Sequence, residues 1–384
     1  MLKGNFPIEK FAGMRTPFYY YDLDLLRRTL EAVKAAMVQN PEYRVHYAIK
    51  ANFNPRILRL IASYGLGADC VSGGEIRAAA DAGFRPKDIF FAGVGKSDEE
   101  INLGLELGIG RFNVESSAEL EIINSLAAAK GVVAPISLRV NPDIGAHTHA
   151  NITTGLAENK FGINYEQLQG VLQEALAMQN VKFMGLHFHI GSQILDMDDF
   201  AALCNRINYL TEMMDKAGIE VGDINVGGGL GINYHHPNHL DIADFGSYFN
   251  TFRQFLKTKP GQKVHFEPGR SIVAPCGSLI CKVLYVKQGT SRQFAIIDGS
   301  MTELIRPALY KAYHRVENIS SNEPEELYDV VGPVCESSDV FAKGVSLDRC
   351  HRGDYIAIRS AGAYGESMAS RYNLHEIPDS FFSE

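Results

Sequence analysis

Residues 45–82, VHYAIKANFNPRILRLIASYGLGADCVSGGEIRAAADA, read as strand, helix, strand, helix. Two short runs rich in β-branched and aromatic residues, 45–50 and 67–71, each precede a stretch with apolar residues at helical spacing, 55–64 and 74–82. Alternation of this kind is the pattern of a parallel sheet joined by crossover helices. Read outward, the same pattern predicts strands at 89–92, 111–114, 136–141, 183–190, 223–226 and 263–267, which makes eight in all. Eight parallel strands close a TIM (β/α)8 barrel. Helices are expected between them at 98–107, 118–129, 165–178, 198–217 and 242–256, and another at 25–38 ahead of the first strand. Several start near Ser, Asp or Pro, as helix N-termini prefer.

Beyond residue 270 the helical rhythm stops. Strand-like runs at 279–287, 293–298, 327–331 and 355–359 indicate a second, mostly β domain. The expected division is therefore α/β: a barrel at 25–272 and a β domain at 273–384. Residues 1–24 should contribute a strand to the latter, because the run 18–21 has no slot in the barrel. The stretch SSNEPEE at 320–326 reads as a solvated loop.

Composition narrows the function. With 46% hydrophobic and 21% charged residues over 384 positions, the chain can bury a sizeable core. A net charge of −8 offers no global positive field for nucleic acid or an anionic membrane. The opening MLKGNFPIEKF lacks the apolar core of a signal peptide, and no apolar run reaches the ~18 residues of a spanning helix, so a cytoplasmic protein is expected. Six cysteines, at 70, 204, 276, 281, 335 and 350, form no CxxC pair, which argues against a zinc knuckle or a disulfide frame.

On a TIM barrel the active site lies at the C-terminal ends of the strands. Those ends carry Lys50, Asp69 with Ser72, Arg139, His189 with Ser192, Gly227 to Gly231, and Glu267 with Arg270. Each has an ordinary reading as well: Lys50 as a lysine reaching solvent, GGGLG as a glycine turn, Glu267 and Arg270 as a surface ion pair. His187 and His189 fall on one face of their strand, as two metal ligands would, so a metal-dependent hydrolase is a rival. It would need ligands at other strand ends, where Lys, Arg, Gly and Glu stand instead. His147, His149, His235, His236 and His239 fall in loops and read as surface residues, so no metal is expected. Together, a lysine, a glycine-lined anion site, an imidazole and a carboxylate form the set that pyridoxal 5′-phosphate requires.

In chain order, YAIKAN (47–52), GADCVSGGE (67–75), SLRVNPD (137–143), HFHIGSQ (187–193), GGGLG (227–231), EPGR (267–270), GPVCESSD (332–339) and GAYG (362–365) resemble the fold-type III pyridoxal-phosphate decarboxylases. Two stretches, AHTHANITTGLAENKFGI (146–163) and MTELIRPALY (301–310), are similar to the branch of that family that decarboxylates diaminopimelate. The resemblance implies an alanine-racemase-like barrel with a C-terminal β domain, acting as a homodimer with shared active sites. It implies conversion of meso-2,6-diaminopimelate to L-lysine and CO2 at the D-centre. Lys50 would be the Schiff-base lysine, His189 would stack on the pyridine ring, and Glu267 would pair with the ring nitrogen. Ser192, Gly228, Gly229 and Tyr364 would hold the phosphate, Gly269 and Arg270 would also bind the cofactor, and Asp69 and Arg139 would lie near the ring and tune its polarity. Arg270, Arg306, Tyr310 and Tyr364 would bind substrate carboxylate, and Glu336 the distal amino group. Cys335, a proton donor alternative to Lys50, would arrive with Glu336 from the partner subunit. Thr302 and Glu303 stand where the family more often has Asn and Asp. A decarboxylase of carboxynorspermidine or another basic amino acid, and a non-catalytic pyridoxal-phosphate binder, are the alternatives.

Overall fold

The computed structural model describes residues 3–142 and 160–384, in two compact units. The stretch 146–159 of the diaminopimelate-like segment, with His147 and His149, lies outside the described residues.

One unit spans Leu30–Gly231 and Asp244–Gly269. Its strands Tyr43–Ala48, Gly67–Cys70, Ile89–Phe91, Arg111–Val114, Ala134–Asn141, Val181–His187, Asp223–Asn225 and Val264–Phe266 each pair in parallel with the next. The last pairs back to the first through Val264 and Tyr43, which closes an eight-stranded barrel. A two-residue strand, Ile163–Asn164, adds to the outer end of Ala134–Asn141. The helices Pro55–Ser63, Gly73–Ala82, Asp98–Leu107, Ser117–Lys130, Leu168–Ala177, Met197–Lys216 and Phe245–Phe255 intervene along the chain.

Local chemistry fixes their ends. Ser72, Ser97 and Ser116 each accept a backbone N–H of the first helical turn, and Ser97 forms a reciprocal capping box with Glu100. Alternation along the strands decides what faces outward. Tyr43 and Phe266 meet Phe249 of a covering helix at ring separations of 5.9 and 4.9 Å. Residues of the opposite parity, His46 and His265 with Glu267 just beyond, take the inner face, where His46 reaches His265 at 2.9 Å.

The first strand ends two residues earlier than the sequence pattern predicts. After Ala48 the chain turns through a 3-10 segment, Ile49–Ala51, closed by the Asn52 N–H on the Ile49 carbonyl. Ile49 has strand propensity, yet Lys50 stands on a turn and not on the strand.

The other unit comprises Met1–Thr29, Ile232–Ala243 and Arg270–Glu384. Its sheet runs Val316–Asn318, Tyr355–Ile358, Gly277–Gln288, Gln293–Ile297, Glu325–Val331, Val340–Asp348. Phe18–Tyr21 pairs antiparallel with Gly277–Gln288 and parallel with Asp379–Phe382. Phe11, Phe18, Ile280, Ile319, Tyr355 and Ala357 form a buried cluster beneath it. Val316–Asn318, Val340–Asp348 and Asp379–Phe382 are strands that the sequence pattern misses. VEN and DSFF are too short and polar to stand out, and Val340–Asp348 is interrupted by Gly344 at φ +59°. Among the described residues, no helix is long and apolar enough to cross a membrane.

Candidate active site

The barrel interior is polar, and its polar residues stack in layers. At the N-terminal end, Arg111 donates to Asp223 and to Ser137, both at 2.8 Å. His265 Nε2 lies 3.3 Å from the same Asp223 carboxylate, and His46 Nδ1 donates to the Asp88 carbonyl at 3.0 Å. A carbonyl oxygen only accepts, so the His46 proton is on Nδ1 and its Nε2 accepts from His265.

One layer toward the C-terminal ends stands Glu267, which is buried. His187 Nε2 lies 3.0 Å from one of its oxygens, and Asn225 Nδ2 donates to the other at 2.6 Å. Burial pushes the Glu267 carboxyl up, but His187 and the Asn225 amide outweigh it and hold the group below the usual carboxylate range. Glu267 is therefore an anion inside the barrel. Asp69 goes the other way: burial and the Glu267 charge raise it well above the ordinary value, with Lys50 opposing. One Asp69 oxygen, Oδ1, is buried without a hydrogen-bond partner among the described residues.

Lys50 acts electrostatically on Asp69 and His189, so these three sequence-selected groups share one neighbourhood, together with Glu75. His189 is held neutral, well below its ordinary value, by burial and by the Lys50 and Arg139 charges. The Gly228 N–H donates to its Nδ1 at 3.3 Å. The two histidines of HFHIGSQ thus take separate partners, Glu267 and Gly228, and do not converge as a ligand pair. Among the described residues no group of three or more His, Cys, Asp or Glu is placed to hold a metal ion. His235, His236 and His239 are exposed.

Bare backbone at GGGLG is a steric requirement. A Cβ on Gly227, which has φ +73°, would sit 2.3 Å from the Phe188 carbonyl oxygen. One on Gly228 would sit 2.2 Å from the Glu267 carbonyl oxygen. Ser192 is half-buried on the loop that follows His189. A pyridoxal phosphate needs a lysine, an ionised carboxylate, a flat neutral ring and a backbone anion cradle. Lys50, Glu267 and His189 supply the first three within one unit, and the side-chain-free turn Gly227 to Gly229 lies beside them, its Gly227 and Gly228 N–H groups held by Asn225 and His189. These residues fit the cofactor.

Arg139 is locked by Glu115 at 2.8 Å, whose oxygens also accept the Gly93 and Gly162 N–H groups. Lys96, fully buried in its side chain, donates to the Gly93 and Asn113 carbonyls and to Glu119 at 2.6 Å. It ties the loop after Ile89–Phe91 to the neighbouring strand Arg111–Val114 and the helix Ser117–Lys130.

In the second unit, Arg270 and Arg306 converge. The Tyr234 hydroxyl oxygen accepts from Arg270 at 2.7 Å and from Arg306 at 3.0 Å. Arg270 also lies 4.9 Å from the Tyr364 ring centroid, and Tyr310 acts electrostatically on it. Cys335 is an exposed free thiol, and Glu336 accepts from the Tyr372 hydroxyl at 2.7 Å. Thr302 and Glu303 are buried, and the Glu303 carboxylate accepts from Ser300 and Thr302 within its own turn. Their departure from the family pattern is absorbed locally.

Sequence reasoning missed His187 as the partner of Glu267, and it missed Asn225, Glu115, Lys96, Tyr234 and His314 altogether. Strand alternation could have found the first three, since Glu115, His187 and Asn225 share the inward parity of their strands. Nothing local marks Tyr234.

The pyridoxal-dependent decarboxylase family, in its pyridoxal binding domain, matches residues 23–274. Diaminopimelate decarboxylase of Bacteroides thetaiotaomicron is 62% identical over 383 residues, covering 100% of this chain and 99% of the relative. That of Haemophilus influenzae is 42% identical over 96% of this chain and 88% of its own length. A crystal structure of the Helicobacter pylori enzyme complexed with L-lysine aligns with a TM-score of 0.92 at 40% identity, over 98% of this chain and 94% of that one. The layered barrel, its glycine cradle and full-length similarity agree, and the chain belongs to the pyridoxal-dependent diaminopimelate decarboxylase family.

Proposed function

We propose that this protein decarboxylates meso-2,6-diaminopimelate at its D-centre, giving L-lysine and CO2, with pyridoxal 5′-phosphate as cofactor. The observation that carries the reading is Glu267, kept anionic inside the barrel by His187 and Asn225, in the layer next to Lys50, Asp69 and His189. When bound, pyridoxal phosphate supplies an electron-accepting ring for the pair released with CO2. Lys50 is the residue that would hold it covalently. His189, neutral and flat, would cover one ring face, and Asp69 and Arg139 would tune the ring's polarity. Glu267 would keep the ring nitrogen protonated, an electrostatic contribution already in place before reaction. Ser192, Gly228, Gly229 and Tyr364 would bind the phosphate, and Gly269 and Arg270 would also contact the cofactor.

Arg270, Arg306, Tyr310 and Tyr364 would bind substrate carboxylate, and Glu336 the distal ammonium. In the reaction one carbon–carboxylate bond breaks, CO2 leaves, and a proton from Cys335 or Lys50 takes its place on the same carbon. The reading includes a barrel domain at 25–272, a β domain at 273–384 and a homodimer in the cytoplasm. CESSD supports shared sites, as do the exposed side chains of Cys335 and Glu336. Purified protein given pyridoxal phosphate and meso-diaminopimelate should release L-lysine and CO2 in equal amounts, and neither carboxynorspermidine nor arginine should compete effectively. Absence of lysine, or faster turnover of carboxynorspermidine, overturns the assignment.

A further inference from the structure

Two guanidinium groups repel each other, and each can only donate hydrogen bonds. Holding Arg270 and Arg306 together in a buried place therefore needs an acceptor common to both. The structure supplies one oxygen, the Tyr234 hydroxyl, at 2.7 and 3.0 Å from the two. Arg306 Cζ also lies 5.1 Å from the Tyr234 ring centroid, so the ring's π face and its oxygen serve the same cation. Both guanidiniums thus meet on the Tyr234 hydroxyl oxygen.

The second guanidinium has a further anchor. His314 Nδ1 faces the Arg359 carbonyl oxygen at 2.8 Å and must donate to it, which leaves Nε2 as an acceptor. Arg306 Nη1 donates to that Nε2 at 2.8 Å. His314 is thus fixed as one neutral tautomer, and burial together with the Arg306 charge lowers its pKa to about 3. Its ring meets the Tyr234 ring edge-on at 5.1 Å. Burial pushes the Tyr234 phenol up, yet the two guanidiniums outweigh it and hold it below its ordinary value.

We propose that Tyr234 is a positioning residue that sets Arg270 and Arg306 as one carboxylate-binding pair, with His314 sharing the hold on Arg306. The inference rests on the reading above in taking these arginines as the binders of substrate carboxylate. Without the bridging oxygen, the two like charges separate and the pair loses its fixed spacing. Substrate binding should weaken much more than turnover does, because the reacting carbon is served by other residues.

The test is Tyr234→Phe, which removes one oxygen and keeps the ring. In the holoenzyme, KM for diaminopimelate should rise roughly tenfold or more, as expected on losing a charge-assisted contact, while kcat changes by less than about threefold. Calorimetric titration with glutarate, a plain dicarboxylate that has no amino group to react, should show a matching loss of affinity. An unchanged KM and an unchanged glutarate affinity overturn the proposal, even where the variant melts earlier, since that pattern belongs to a packing role. Should Tyr234→Phe fail to fold, p-aminophenylalanine at 234 keeps the ring's shape and replaces the oxygen by a poor acceptor. It must give the same loss. If the wild-type protein binds glutarate but turns over no diaminopimelate, the substrate reading fails; a weakened glutarate affinity in the variant then still supports the clamp.

Discussion

The carboxylate of Glu267 takes its character from Asn225 on the adjoining strand and His187 on the strand beyond it. Their combined effect exceeds the desolvation that would otherwise protonate it. Glu267→Gln should therefore retain most pyridoxal phosphate, read by absorbance, and lose decarboxylation by about a thousandfold, the equivalent of ~4 kcal/mol in barrier. A near-normal kcat would mean that another group controls the ring nitrogen. Asn225→Ala should fall between wild type and Glu267→Gln, because it removes one support and leaves the carboxylate in place. At this scale the sequence is informative where a residue's position on its own strand is enough. Lys50, Asp69, His189 and Glu267 stand out because polar residues at strand ends are few. Tyr234 is illegible because its partners lie 36 and 72 residues away, and only the folded chain brings both guanidiniums onto one oxygen.

The elements were legible to the extent that periodicity and capping agree. Asp98–Leu107 carries a capping box at one end and Gly108 in the left-handed region at the other, and sequence and structure give the same bounds. The first barrel strand ends at Ala48 although Ile49 is a strand former, because the turn that ends it is set by a backbone bond from Asn52. The strand floor also carries a pH signature. Burial and the neighbouring His265 lower His46 from 6.5 to about 3, with the Asp88 carbonyl opposing. His314, in the other unit, is lowered over the same interval by burial and Arg306. Between about 3 and 6.5 the unfolded chain binds a proton at each of these positions and the folded chain does not, so stability is full above 6.5 and falls as pH drops. Denaturant midpoints followed from neutral pH downward should decline from near 6.5, and His46→Gln, less stable at neutral pH, should decline less steeply. Identical slopes would place the acid sensitivity elsewhere.

The barrel unit carries Lys50, Asp69, His189 and Glu267, and the β unit carries Arg270, Arg306, Tyr364 and the CESSD stretch. If the sites are shared between subunits, mixing inactive Lys50→Ala with inactive Cys335→Ala protein should restore activity as subunits exchange, since some mixed dimers regain one intact site. Exchange without recovery would assign Cys335 to its own subunit or make it dispensable. The central claim, however, is that the cofactor is held on the turn after the first barrel strand, beside the Glu267 layer. Borohydride reduction of the holoenzyme followed by proteolysis and mass spectrometry tests this most directly. The account predicts a single phosphopyridoxyl label, on Lys50 in the peptide containing YAIKAN. A label on any other lysine, or none on Lys50 in protein that retains its cofactor, would contradict it.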